Sequence, residues 1–111
     1  MIAKLTYKNK IIEIPNIEKV SGFKKFTGLM FKPQNNNPLL FEFPESTKQA
    51  IHSLFCPYFL AIWLDKENKV IDYKIISPNQ FIIKPKQEFA KLIEIPINKQ
   101  NSEVVNFLVG K

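Results

Sequence analysis

The sequence predicts a small α+β domain whose main element is a curved antiparallel or barrel-like β-sheet, accompanied by one to three short helices. Short stretches in which apolar and polar residues alternate recur along the chain, as in half-buried strands. Clusters of Pro, Asn and Ser separate these stretches and are typical of turns. The length of 111 residues suffices for one hydrophobic core, and we therefore expect a single domain over residues 1–111.

The first elements are expected to be a hairpin and a short helix. The polar connection Lys8–Lys10 joins two alternating segments, 3–7 and 11–14, which predict the strands of the hairpin. Ser21 is of a type that caps helices, and an apolar stripe at helical spacing follows it: Phe23, Phe26 and Met30. Such a stripe is more typical of a core face than of a ligand site.

The middle of the chain predicts two strands and two turns. The polar cluster Asn35–Pro38 precedes a strand over Leu39–Phe43. Phe59–Leu64 is apolar on both faces, which indicates a central strand. The polar segment Asp65–Lys69 is expected to form the hairpin loop after it.

The last third is expected to hold further strands and a terminal helix. Residues 71–75 alternate as in a half-exposed strand, with Asp72 on its outer face. A short extended piece over 80–84 and a strand over 89–95 follow. Residues 102–108 predict the helix.

Four short motifs occur in a recognisable order. They are Gly28–Lys32 with the sequence Gly-Leu-Met-Phe-Lys, Leu39–Phe43, the segment from Trp63 to Val70, and Leu92–Pro96. In this order they resemble the small prokaryotic family catalogued as domain of unknown function 192, also called uncharacterised protein family 0127. The resemblance spans about residues 3–110 and implies a β-rich fold without an established activity. Many relatives have an Asp shortly before the third motif, where this chain has Leu60, so any role of that acid is absent here.

Residues 47–55 have two readings. Ser46–Gln49 has the Ser-x-x-Gln form of a capping box, and one helical face would follow it: Ala50, Ile51, Leu54 and Phe55. The family resemblance instead implies a strand over roughly Ala50–Phe55. We favour the strand.

The net positive charge of the chain is only weak evidence for an anionic partner. The net charge is +6, but all sixteen basic residues are lysine, whereas arginine is the usual residue for bidentate recognition of phosphates and bases. Phe, Ile, Lys, Asn and Tyr supply 54 of the 111 residues, as expected from an A+T-rich coding sequence. We therefore expect an unknown small ligand or protein as the partner, with nucleic acid as a less favoured alternative.

The sequence carries no signal for a membrane or for secretion. The longest uncharged apolar stretch, Leu54–Leu64, is too short to span a bilayer. The first residues alternate like a strand and lack the apolar core of a signal peptide. The single cysteine, Cys56, excludes an internal disulfide. We expect a cytoplasmic protein without a membrane partner.

The residues that could carry chemistry form no recognisable catalytic set. His52 and Cys56 are the only residues of their types, and a zinc site needs three or four ligands. Four acids could meet in a folded sheet, although solvated charges are the default interpretation: Glu42, Glu45, Glu88 and Glu94. No nucleotide-binding or hydrolase motif occurs. We expect no catalytic residue, no metal and no cofactor.

Three residues are candidates for binding. Lys32 closes the first motif, His52 is the only histidine, and Trp63 is the only tryptophan. Phenylalanines interspersed with lysines, such as Phe31 and Phe41, can imitate a stacking platform with a basic rim. Aromatic residues at these periods are more often core residues, and this interpretation applies to Trp63 as well.

The leading hypothesis is a non-catalytic binding or interaction module with an unknown ligand. The alternatives are a weak RNA-associated basic protein and an enzyme of unknown class. Lysines clustered on a face with exposed aromatic rings would favour the first alternative. Convergent polar groups with perturbed pKa values in a deep pocket would favour the second.

Overall fold

Alternating segments and continuous apolar segments form seven β-strands ahead of a helix in the computed structural model, which describes residues 1–20 and 28–110. The described elements are β1 Ala3–Tyr7, β2 Lys10–Ile14, β3 Glu18–Val20, β4 Leu39–Thr47, β5 Phe59–Leu64, β6 Val70–Ile76, β7 Phe89–Pro96 and α1 Ser102–Val109. The first hairpin, β4 to β7 and the terminal helix lie where the sequence predicts them, whereas β3 was not predicted and residues 80–84 contribute only a bridge at Ile83. The helix expected after Ser21 falls mostly outside the described residues, and Met30 lies in a turn. No helix in the described part of the chain is long and apolar enough to cross a membrane.

The strands form a separate hairpin and a five-stranded sheet. β1 pairs with β2 antiparallel, and the larger sheet has the order β3-β4-β7-β5-β6. Its pairs are antiparallel except for β3 with β4, which is parallel. The β-rich character of the domain, with a helix beside the sheet, is thus confirmed, while the sheet is mixed and open. Among the described strands, no ladder joins β3 to β6 and closes a barrel.

Both faces of the larger sheet are buried. Alternate residues of β5 point to opposite faces, and each of its residues is at most 2% exposed. One face packs against the hairpin and α1, through residues that include Leu5, Leu60, Ile62, Ile93 and Leu108. The other face forms a second apolar layer, which includes Leu29, Phe41, Cys56, Trp63, Phe89 and Leu92. β7 lies between β4 and β5 and contributes side chains to both layers.

The segment after β4 differs from both sequence readings. Residues 50–55 form neither a regular strand nor a helix. Ile51 makes only an isolated bridge with Ile83, in which each N–H donates to the other's carbonyl at 2.9 Å. The side chain of Asn79 then accepts the N–H of Phe55 at 3.0 Å. Since side-chain groups take up the backbone donors here, no ladder continues.

β6 also departs from the expected alternation. Asp72 is buried instead of lying on the outer face, and Ile75 is 46% exposed. The cause is the pairing of β6 with β5, which places Asp72 opposite Trp63 on the second apolar layer. The Asp72 carboxylate accepts the N–H of Lys86 at 3.1 Å, which compensates for its burial.

Candidate functional site

Two phenylalanine rings stack on the surface of the protein. The ring centroids of Phe31 and Phe55 are 5.0 Å apart, and the ring planes meet at 13°. The N–H of Phe31 donates to the carbonyl of Phe55 at 2.8 Å, so the backbones of the two loops are joined as well. Phe31 is nevertheless 75% exposed and Phe55 61% exposed. The pair is therefore ordered by its own contacts, while most of its apolar area faces water.

Both residues have a left-handed backbone. Their φ angles are 61° for Phe31 and 56° for Phe55. For an L-residue this conformation costs roughly 1–2 kcal/mol, and for bulky side chains it is a genuine outlier. Ring stacking returns only about 0.5–1.5 kcal/mol. Residues held in such strained backbone conformations cluster at functional sites.

The turn that carries Phe31 contacts β7, the middle strand of the five-stranded sheet. Gly28 has a φ of 49°, and a Cβ at this position would lie 2.9 Å from Glu94 Oε1. Leu29 is completely buried, and its N–H donates to the Glu94 carboxyl group. The N–H of Lys32 donates to the Leu29 carbonyl at 2.9 Å and closes the turn. Glycine is required at the first position because only it lets the backbone approach this carboxyl group.

Glu94 is a buried acid with an altered ionisation. It lies on β7 between Leu39 of β4 and Ala61 of β5. Burial raises its pKa to about 8, and the hydrogen bond from Leu29 opposes this increase. The group is therefore mostly protonated near neutral pH. Glu42, in contrast, points to the other face of the sheet and pairs with Lys19 at 2.6 Å, so these two predicted acids do not meet.

Cys56 shares the buried layer with Glu94. Burial raises the pKa of the Cys56 thiol to about 12, and the Glu94 carboxyl group adds to this shift. Because the thiolate is the nucleophilic form, the thiol is unreactive at neutral pH. Among the described residues, no three His, Cys, Asp or Glu side chains gather in a way that could hold a metal ion. The expected absence of metals and cofactors stays a prediction.

The loop that carries Phe55 runs beside a second exposed segment. Ser53 N–H donates to the Gln80 carbonyl at 2.9 Å, and Asn79 N–H donates to the Ser53 carbonyl at 2.8 Å. This segment presents Phe81 and Ile82, which are 76% and 73% exposed. We refer to four residues on these joined loops as the exposed apolar face: Phe31, Phe55, Phe81 and Ile82.

A groove continues from this face along the edge of the sheet. It has a volume of about 380 Å³. Its apolar lining comes from Val20, Met30, Phe31 and Leu39, and its polar lining from Glu18, Lys19, Lys32 and Asn36. The groove therefore places charges of both signs next to the exposed apolar face.

The structure places two of the three predicted binding residues on the loops of this face. Lys32 follows Phe31 and is exposed. His52 lies three residues before Phe55, and its Nδ1 accepts the N–H of Leu54 at 3.1 Å. Trp63 lies elsewhere and is 0% exposed. The binding roles of all three residues stay predictions.

The environment of Trp63 is that of a core residue. Its ring packs edge-to-face against Phe89, with centroids 6.5 Å apart. The Lys74 ammonium group lies 5.8 Å from the ring centroid. The indole N–H has no hydrogen-bond partner among the described residues. A ligand on the surface would therefore reach Trp63 only after rearrangement of the core.

The chain has relatives among curated proteins. A member of uncharacterised protein family 0127 from Thermococcus sibiricus is 36% identical over 78 residues, which cover 68% of this chain and 50% of the relative. A segment of a Lon protease from Mycoplasmopsis agalactiae is 32% identical over 65 residues, or 57% of this chain and 6% of that protein. The chain therefore spans at most half the length of these relatives. No family model matches it.

Two solved structures have a similar fold. A protein of unknown function from Novosphingobium aromaticivorans aligns with a TM-score of 0.70 at 11% identity, over 94% of this chain and 77% of that one. A protein from Sinorhizobium meliloti, whose name proposes a transcription regulator, aligns with a TM-score of 0.72 at 14% identity, over 94% of this chain and 84% of that one. At these identities the likeness shows the fold alone.

Proposed function

The chain is related to uncharacterised protein family 0127, a family without an assigned activity, and on that premise we propose a function from the site itself: non-catalytic binding of a protein partner. The contact surface is the exposed apolar face, with Lys32 at its border. The observation that carries this proposal is the Phe31–Phe55 stack, in which two strained residues hold their rings in water.

The rings are exposed in the isolated domain, so their burial by a partner contributes hydrophobic free energy to binding. Full burial of a phenylalanine side chain contributes about 1.5–3 kcal/mol. The existing stack also lowers the entropy that the two rings lose on binding, because their positions are already restricted. A few aromatic residues of this kind commonly dominate the affinity of an interface.

The shape of the face supports a protein partner over a small molecule. Small ligands are bound in concave sites that bury most of their surface. Phe31, Phe81 and Ile82 are each more than 70% exposed, which is typical of a projecting surface. The Lon protease segment also supports a role as a module, since it forms only 6% of a much longer protein.

The ionisation of the nearby buried groups gives no support to catalysis. The Cys56 thiol, with a pKa of about 12, is a poor nucleophile at neutral pH. The Glu94 carboxyl group accepts a hydrogen bond from the Leu29 N–H and thereby holds the turn on the sheet. Both groups are better explained as parts of the support for the exposed apolar face.

The test is selection of peptides from a random display library on the immobilised domain. A Phe31→Ser, Phe55→Ser double variant serves for counter-selection, and calorimetry measures the enriched peptides. We expect peptides rich in apolar residues whose affinity falls at least about tenfold in the double variant, which corresponds to about 1.4 kcal/mol.

An Ile11→Ala variant is the matched control, because Ile11 is 72% exposed but lies on β2, outside the exposed apolar face. The control should bind the peptides like the unmodified chain. Recovery only of peptides that bind the double variant equally well would contradict the proposal.

A further inference from the structure

A second groove lies between the first hairpin and the end of the helix. Its volume is about 320 Å³. It is lined by Tyr7, Lys8, Lys10, Tyr73, Phe107, Leu108, Val109 and Gly110. None of these residues belongs to the exposed apolar face, so the two surfaces can be tested separately. The volume falls at the lower end of the range for small-ligand sites.

Two lysines, Lys8 and Lys10, line this groove, and no acidic side chain is among its described lining residues. The Lys8 Nζ lies 5.3 Å from the ring centroid of Tyr7, and the Lys10 Nζ lies 5.9 Å from that of Phe107. No acidic residue is among the described residues that line the groove. The described ion pairs use other lysines: Lys4, Lys19 and Lys91. The described lining of the groove therefore holds two lysine ammonium groups and no carboxylate.

Three aromatic rings form its walls. Tyr7 and Tyr73 meet edge-to-face, with centroids 5.8 Å apart and planes at 89°. A hydrogen bond from Tyr73 lowers the pKa of Tyr7, and the Lys8 ammonium group lowers it further. Phe107 is 44% exposed on α1. These rings offer faces and edges against which a planar ligand can pack.

The helix end contributes hydrogen-bond acceptors. α1 ends at Val109, and Gly110 has a φ of 84° and donates its N–H to the Asn106 carbonyl at 3.0 Å. The last carbonyls of a helix generally have no partner within it, and the groove lining includes Leu108, Val109 and Gly110 at this end of α1. Carbonyls at such a helix end carry partial negative charge and favour ligand groups that donate hydrogen bonds.

We propose that this groove binds a small compound that joins a phosphate group to a planar ring with hydrogen-bond donors, as in a mononucleotide. The phosphate lies against Lys8 and Lys10, and the ring packs among the aromatic side chains towards the helix carbonyls. A phosphate monoester carries about −1.5 to −2 charges at neutral pH, which matches two ammonium groups. An inorganic anion would make no packing contact with the aromatic rings. An uncharged planar compound would provide no anionic partner for Lys8 and Lys10.

The test measures binding of three probes by titration calorimetry: adenosine monophosphate, adenosine and inorganic phosphate. We expect the monophosphate to bind at least tenfold more tightly than either fragment. A Lys8→Ala, Lys10→Ala double variant should reduce its affinity at least tenfold, and Phe107→Ala should reduce it several-fold. Thermal melts of each variant check that the fold is intact.

A Lys4→Ala variant is the control, because Lys4 lies on the same hairpin but pairs with Glu13 at 3.7 Å. Its affinity for the monophosphate should stay within twofold of the unmodified chain. Equal affinity for monophosphate and inorganic phosphate, an equal loss in the Lys4 variant, or no binding at millimolar concentration would each overturn the proposal.

Discussion

Phe31 and Phe55 hold backbone angles that favour glycine or asparagine, yet their rings are largely exposed. The strain of the two backbones, roughly 1–2 kcal/mol each, exceeds the about 0.5–1.5 kcal/mol that the ring stack returns. The folded domain therefore has little to lose when one ring is removed. A binding surface, in contrast, loses one of its main contacts.

A Phe55→Asn variant separates these two roles. Asparagine tolerates a left-handed backbone, so we expect the free energy of unfolding to change by less than about 1 kcal/mol. A Phe89→Ala variant provides the comparison, because Phe89 is 0% exposed and its truncation should cost about 3–5 kcal/mol. Urea unfolding measures both. A loss above about 2 kcal/mol in Phe55→Asn would assign the ring a structural role instead.

At the scale of elements, the turn over Gly28–Lys32 depends on a contact with the sheet. Gly28→Ala should cost about 2 kcal/mol or more, because its Cβ would meet Glu94 Oε1 at 2.9 Å in a left-handed backbone. Gly110→Ala is the matched control: its φ is 84°, but a Cβ there meets no described atom within 4 Å. The control should cost only about 1 kcal/mol. Chemical denaturation measures the free energy of unfolding of both variants. Equal losses in the two variants would argue against a destabilising contact between residue 28 and Glu94.

Elements with a clear local pattern were predictable from the sequence. The first hairpin follows from alternation around a polar connection, and β5 follows from a run of apolar residues on both faces. Residues 50–55 were not predictable, because the helix reading rested on local spacing and the strand reading on the family resemblance, while contacts with Asn79 and Ile83 decide the backbone there. The parallel pairing of β3 with β4 likewise depends on distant segments.

The candidate site was predictable only in outline. Two of the candidate binding residues, Lys32 and His52, lie on the two loops that meet at the Phe31–Phe55 stack. The exposure of Phe31 and Phe55 was missed, since the sign of φ and the burial of a ring depend on tertiary contacts. The buried state of Glu94 was missed for the same reason. The one local signal that could have revealed this turn is Gly28, because glycine readily adopts the left-handed backbone that a tight turn requires.

At the scale of the whole molecule, Glu94 links global stability to pH. Its pKa is about 8 in the folded state, above the usual value of 4.5. The folded state therefore binds more protons than the unfolded state between these values. Its contribution to stability is complete below about pH 4.5 and decreases as pH rises towards 8, by at most about 1.4 kcal/mol per pH unit.

A Glu94→Gln variant should remove this dependence, because the amide keeps an acceptor for Leu29 and cannot ionise. The difference in unfolding free energy between the variant and the unmodified chain should grow in favour of the variant from pH 5 to pH 8. Urea titrations at several pH values measure this difference, and other titrating groups cancel in it. A difference that stays constant over this range would refute the role of Glu94.

The strand order sets a constraint on synthesis. β7 lies between β4 and β5 in the sheet but follows both in the chain, so neither can complete its pairing until residues 89–96 have been made. At a synthesis rate of about 5–20 residues per second, the growing chain carries two apolar strands with unpaired edges for a time on the order of seconds. Unpaired edges of this kind are templates for aggregation. The risk of aggregation during synthesis is therefore highest before residues 89–96 have been made.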